Sequence, residues 1–122
     1  MKILLVEDNL MNQKVVMFNL KKLNCEITPV INGKEAFETF KNNKFDIILM
    51  DIMLPEMNGY EVTIEIRKFE KINEVLNPVT IIALTANTYE NDKEKCLGVG
   101  MDDYLSKPFT AQQLINIIQK YS

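Results

Sequence analysis

The chain contains no histidine. That removes Ser-His-Asp and Cys-His catalysis, imidazole metal ligands and any phosphohistidine on the chain itself. It has two cysteines, Cys25 and Cys96, which form no CxxC pair and are too few to build a four-ligand zinc site. Their spacing alone leaves a disulfide open, but free thiols in a reducing, cytoplasmic compartment are the expectation. Nowhere is there a stretch of about 18 consecutive apolar residues, so no segment is expected to cross a membrane. The apolar run Ile3–Val6 is too short to serve as a secretory signal. Basic charge is also lacking: 14 Lys and Arg stand against 17 Asp and Glu, a net charge of -3. Direct nucleic-acid binding needs a basic face and is not expected. Two nucleotide-binding signatures are missing. Gly98-Val99-Gly100 follows a helical pattern rather than a strand and has Asp103 where a third glycine belongs, and no GxxxxGK[ST] loop exists.

What is present is an ordinary globular composition over 122 residues, 47% hydrophobic and 25% charged, with no low-complexity tract or linker. Residues 1–122 are expected to form one domain. Strand-like and helix-like patterns alternate along the whole chain. Lys2 to Val6 reads as a strand, and Asn9 to Leu23 as a helix with Val16, Leu20 and Leu23 on one face. Glu26 to Val30 reads as a strand that Pro29 assigns to a sheet edge. After Asn32-Gly33, the stretch Lys34 to Asn42 is helical, and Phe45 to Met50 is a short buried strand. Tyr60 to Lys71 is helical, and Val79 to Leu84 is a second buried strand. Asn87 to Leu97 is a polar helix closed by Gly98; Tyr104-Leu105 marks a last strand, and Thr110 caps a last helix. Five such β-α units, with mostly continuous apolar strands, mean a doubly wound parallel sheet with helices on both faces. Strand order is not readable from the pattern.

In an open parallel sheet, ligands bind beyond the carboxyl ends of the strands. The first strand ends in Glu7-Asp8, the third in Asp51, the fourth in Thr85-Ala86 and the fifth in Lys107-Pro108. Each residue taken singly has a plain structural use as a cap, a strand terminus or a surface group. Together they bring three carboxylates, a hydroxyl and an ammonium to one edge. Carboxylates so gathered repel one another unless a cation intervenes. A hard divalent ion such as Mg2+ suits them. An ion beside Asp51, with Lys107 and Thr85 opposite, makes a site for a phosphoryl group.

These residues resemble the receiver domain of bacterial two-component response regulators, over essentially the whole chain. The motif residues are Glu7-Asp8, Asp51 after Ile47–Met50, Pro55 and Gly59 in the next loop, Thr85-Ala86, Tyr104 and Lys107-Pro108. The resemblance implies a flavodoxin-like strand order 2-1-3-4-5, which sets the first and third strands side by side. It implies that Asp51 is the phosphoacceptor. It implies that Glu7, Asp8, Asp51 and the backbone carbonyl of Met53 hold Mg2+. Thr85, Ala86 and Lys107 are implied as phosphoryl-binding residues, Thr85 and Tyr104 as the conformational switch, and Pro108 as a cis-proline. The implied partners are a histidine kinase and a histidine phosphotransfer protein, which would dock through Asn12, Val15 and Val16. An effector would bind the face around Tyr104, because no effector segment follows Tyr121-Ser122. The stretches Glu7–Gln13 and Leu84–Asn87, and the long approach Glu70–Asn77, look like receivers attached to hybrid sensor kinases.

Two other readings compete. A phosphatase of the haloacid-dehalogenase type also uses an aspartate after a strand, but it needs a second aspartate two residues on, where Met53 stands, and a cap domain that this chain lacks. A degenerate receiver that only binds partners is opposed by the intact acids, Thr85 and Lys107. The expectation is a phosphoacceptor rather than an enzyme.

Overall fold

The computed structural model describes residues 1–86 and 90–122, apart from the side chains of residues 90–92. Five strands alternate with five helices: β1 (Lys2–Val6), α1 (Leu10–Leu20), β2 (Glu26–Val30), α2 (Gly33–Asn42), β3 (Ile47–Asp51), α3 (Gly59–Ile72), β4 (Thr80–Thr85), α4 (Glu90–Val99), β5 (Asp103–Ser106) and α5 (Ala111–Lys120). The strands form one parallel sheet in the order β2-β1-β3-β4-β5. This is the doubly wound order expected above. Pro29 lies in β2, at the sheet edge, where a missing N–H costs no ladder bond on the open side.

Alternation along the central strands divides the core into two layers. Leu4, Val6, Ile48, Met50, Ile81 and Ala83 face α2, α3 and α4. Ile3, Leu5, Ile47, Leu49, Ile82 and Leu84 face α1 and α5. Strands apolar at every position are what a sheet covered on both sides requires.

Helix starts follow short polar side chains. Asn9, Asn32, Asn58 and Thr110 each accept a hydrogen bond from the backbone N–H three residues on, and Gln113 completes a capping box with Thr110. Two helix ends differ from expectation. α1 stops at Leu20, and Lys21–Leu23 tighten into a 3-10 turn closed by Asn24 at φ 53°. α4 runs through Gly98 to Val99, and Gly100, at φ 110°, closes it. Gly100 N–H donates to the Leu97 carbonyl and Met101 N–H to that of Cys96, so the left-handed position falls two residues later than Gly98. The expected start of this helix, Asn87, lies outside the described residues. Cys25 and Cys96 are free thiols.

The amino-terminal edge of the sheet is tied together by Arg67 on α3. Its Nε donates to the Gly100 carbonyl (2.8 Å), Nη1 to Glu70 Oε1 (2.7 Å) and the Val79 carbonyl (2.8 Å), and Nη2 to Asp102 Oδ2 (2.9 Å). Glu70 Oε2 accepts from Val79 N–H, and Asp102 Oδ2 from Ile81 N–H. One guanidinium thus joins α3, the entry to β4 and the turn before β5.

Candidate functional site

The site lies at the carboxyl edge of the sheet, and the register builds it. Val6 pairs with Met50, so Glu7 and Asp8 follow β1 just where Asp51 ends β3. Asp51 pairs with Leu84 and Thr85 with Ser106, which carries the same edge across to Lys107. Lys107 N–H donates to the Thr85 carbonyl at 2.7 Å, and the Lys107–Pro108 peptide bond is cis. Beyond Asp51 the chain doubles back tightly. Gly59 N–H reaches the Ile52 carbonyl at 3.1 Å. A Cβ on Gly59 would stand 2.6 Å from the Asp51 carbonyl oxygen and 2.9 Å from Ile52 Cα, so only glycine lets α3 start this close to the site.

Carboxylate oxygens of Glu7, Asp8 and Asp51 lie within 4.8 Å of one another. Glu7 and Asp51 are buried and Asp8 is exposed. Lys107 Nζ is 3.2 Å from Asp51 Oδ2 and 3.6 Å from Glu7 Oε2. Met53 N–H donates to Asp51 Oδ1 at 3.0 Å. Glu7 is held from α1: Asn12 Nδ2 donates to its Oε1 at 2.6 Å, and Gln13 Nε2 donates to its carbonyl at 2.7 Å and to that of Val30 at 3.1 Å. Thr85 is buried at the end of β4, and Ala86 next to it is exposed. Tyr104 is half-buried on β5 against the α2–α4 layer, with Lys93 Nζ 5.5 Å over its ring.

Two buried acids this close cannot both stay charged cheaply. Burial pushes the Glu7 carboxyl up to about 7, and its hydrogen bond and charge interaction with Asp51 push the same way; Asn12 and Lys107 oppose them. Burial also pushes Asp51 up, but the bonds it accepts from Glu7, Met53 N–H and Lys107, together with the Lys107 charge, outweigh it and hold Asp51 below the usual aspartate value. Of the two, Glu7 is the one that holds a proton below about pH 7, and Asp51 is the one kept ionised. Glu7 Oε2 is a buried side-chain oxygen with no hydrogen-bond partner among the described residues. A divalent cation that displaced the proton would satisfy that oxygen. Three oxygen donors, two of them buried, fit Mg2+ chemistry.

The structure thus brings Glu7, Asp8, Asp51 and Lys107 together, with Thr85, Ala86 and Pro108 on the same edge and Tyr104 two positions before Ser106. Asn12 and Gln13 hold Glu7 in place, a role the sequence alone did not assign them. Two amides placed five and six residues after a strand-end acid are the signal for it.

A family model described as the response regulator receiver domain matches residues 3–119. The hybrid signal transduction histidine kinase B of Dictyostelium discoideum is 46% identical over 128 residues, covering 98% of this chain. The chain spans only 6% of that protein's length. Among solved structures, the receiver domain in a co-crystal of the Saccharomyces cerevisiae histidine phosphotransfer protein Ypd1 with its downstream response regulator Ssk1 is 36% identical. It superposes with a TM-score of 0.94 over 99% of this chain and 88% of that one. The receiver domain of the sensor histidine kinase PA1611 of Pseudomonas aeruginosa, solved with a magnesium ion in its active-site cleft, is 44% identical, with a TM-score of 0.85 over 98% of this chain and 95% of that one.

Proposed function

The chain belongs to the response regulator receiver family, and from that premise we propose that residues 1–122 act as one phosphoacceptor domain, charged at Asp51 by a partner's phosphohistidine. The observation that carries this is the setting of Asp51: buried, 3.2 Å from the Lys107 ammonium and braced by Met53 N–H, contacts that favour its ionised form. An Asp51 oxygen attacks phosphorus, the P–N bond to the partner's imidazole breaks, and the imidazole leaves with the electron pair and takes up a proton. The product is an acyl phosphate on Asp51. Attack by one anion on another is governed by positioning and charge neutralisation. Lys107 supplies one counter-charge from the protein. Thr85 hydroxyl and the backbone at Ala86 offer hydrogen bonds to phosphoryl oxygens.

Glu7, Asp8, Asp51 and the Met53 carbonyl would hold Mg2+, which when bound neutralises charge on the phosphoryl oxygens. Tyr104 and Thr85 form the switch in this reading, Tyr104 moving toward the space that Thr85 leaves. The partner histidine would come from a histidine kinase or a histidine phosphotransfer protein, in keeping with the relatives above and with the missing histidine here. No described helix is long and apolar enough to cross a membrane; we place the domain in the cytoplasm, with such a kinase. The match to receivers, rather than to phosphatases, disfavours the hydrolase reading.

Incubation with Mg2+ and acetyl phosphate, followed by intact mass, tests the assignment. One phosphoryl group is expected on the parent and none on Asp51→Asn or on the parent treated with chelator. Labelling of Asp51→Asn at the parent's level overturns it. Steady turnover of a phosphomonoester would replace it with the phosphatase reading.

A further inference from the structure

The opposite end of the sheet presents a second feature. After α3 the chain turns at Glu74, whose φ of 51° is left-handed, and Val75 N–H returns to the Glu70 carbonyl at 3.0 Å. This turn displays Ile72, Val75 and Leu76, with 79, 41 and 92% of their surface exposed. Such clustering of bare aliphatics marks an interaction surface more often than chance. Val75 and Leu76 wall a groove of about 620 Å³ whose floor includes Phe40, Phe45 and Phe69. Phe69 meets Phe40 edge-on at 5.8 Å.

Lysines outnumber acids around the groove. Of its two acids, Glu70 accepts Val79 N–H and pairs with Arg67, while Asp46 is an exposed, charged carboxylate whose Oδ2 accepts Lys2 N–H at 2.7 Å. Lys2, Lys41 and Lys44 also line it. Lys41 pairs with Glu38, whereas Lys2 and Lys44 have no ion-pair partner among the described residues. Lys2 and Lys44 therefore face the single charge of Asp46, a local excess of positive charge beside an exposed apolar floor in a chain of net charge -3.

We propose that this groove docks an acidic amphipathic segment of a partner protein, its aliphatic or aromatic side chains against Phe40, Phe69 and Leu76 and its carboxylates against Lys2 and Lys44. The pattern is that of an amphipathic element laid in an apolar groove, with charge fixing its direction. Asp46 immediately precedes β3 and Asp51 ends it, about 16 Å apart at strand spacing. Docking here leaves the acid cluster open, so the groove can hold a partner whatever the phosphorylation state, and the proposal stands apart from the chemistry of Asp51.

The test is selection of phage-displayed random dodecapeptides on the immobilised domain, followed by titration of the enriched peptides. The expected peptides combine Leu, Ile or Phe with Asp and Glu. They should bind Leu76→Ser and Lys44→Glu about ten-fold more weakly or worse. Both substituted positions line the groove on the surface, and an unchanged melting temperature confirms the fold. Affinity should be the same before and after acetyl phosphate treatment. No enrichment, basic sequences, or affinities indifferent to both substitutions would overturn the proposal. So would two other occupants: a dimer that Leu76→Ser dissolves, or binding to phosphatidylserine vesicles that Lys44→Glu abolishes in the absence of peptide binding.

Discussion

Glu7 and Asp51 are both carboxylic acids, and what separates them is their surroundings. Lys107 stands closer to Asp51, and Met53 N–H bonds only Asp51, so the proton goes to Glu7. The folded protein thus holds a proton that the unfolded chain, with an ordinary glutamic acid at 4.5, would release. More protons bound in the native state means that stability falls as pH rises. Without divalent cations, the unfolding free energy from urea melts should decline between pH 4.5 and about 7 through this group, by roughly 3 kcal/mol at most. Asp51 has the opposite sense, but its contribution belongs to more acid pH. Glu7→Gln removes the slope in that window, leaving a variant at least as stable as the parent at pH 8. A slope unchanged in Glu7→Gln would show that another group holds the proton. The acids themselves were legible in the sequence because each ends a strand. That Glu7 rather than Asp8 is buried was not, since the direction of a side chain beyond a strand end depends on α1 and its amides Asn12 and Gln13.

Helices and strands were readable where the determining signal is local. Four helices begin after an Asn or Thr that caps them, and the central strands are apolar runs too short for helices. The helix ends were less so. The sequence pointed to Gly98, but the left-handed position is Gly100, next to the buried Met101. Least legible was the Arg67 cluster, because Arg67 and Asp102 lie 35 residues apart and meet only after α3 and β5 are in place. Its energetic role follows from Glu70, which is buried with 5% of its surface exposed. Arg67→Met leaves that carboxylate buried beside Val79 N–H without its cation, and about 3 kcal/mol should be lost. Adding Glu70→Gln should recover part of the loss, since no buried charge is then left unpaired. Denaturant melts of the two variants check this. The double variant unfolding as easily as the single one would mean that the cluster acts through packing, not charge. Acetyl phosphate labelling of whatever remains folded should be unaffected, because the cluster and Asp51 occupy opposite ends of β3 and β4.

At the scale of the molecule, the two layers differ in what they leave uncovered. α2 and α5 bury one face and leave no large apolar side chain exposed, but α1 buries Val16 and Leu20 while exposing Leu10, Met11, Val15 and Phe18. A helix apolar on both sides is ordinarily buried on both sides. α1 begins immediately after Glu7-Asp8, and a groove of about 410 Å³ runs between it and the start of α5, lined by Asn12, Val15, Lys107, Pro108 and Phe109. A helix laid along α1 could therefore bring its histidine over Asp51 while covering the exposed apolar side chains. On this arrangement recognition and chemistry use different residues, and they can be separated by experiment. Val15→Glu places a charge in the middle of the apolar stripe without touching any carboxylate of the site. Transfer from a phosphorylated histidine phosphotransfer protein should slow about ten-fold or more, the loss of one well-packed anchor being worth 1–2 kcal/mol. Labelling by acetyl phosphate, which needs no docking, should keep the parent's rate, and the melting temperature should hold. An equal loss with both donors would place Val15 in the support of the site rather than in recognition. An undiminished transfer would mean that the partner approaches Asp51 from the β4–β5 side and that the apolar stripe on α1 serves another contact.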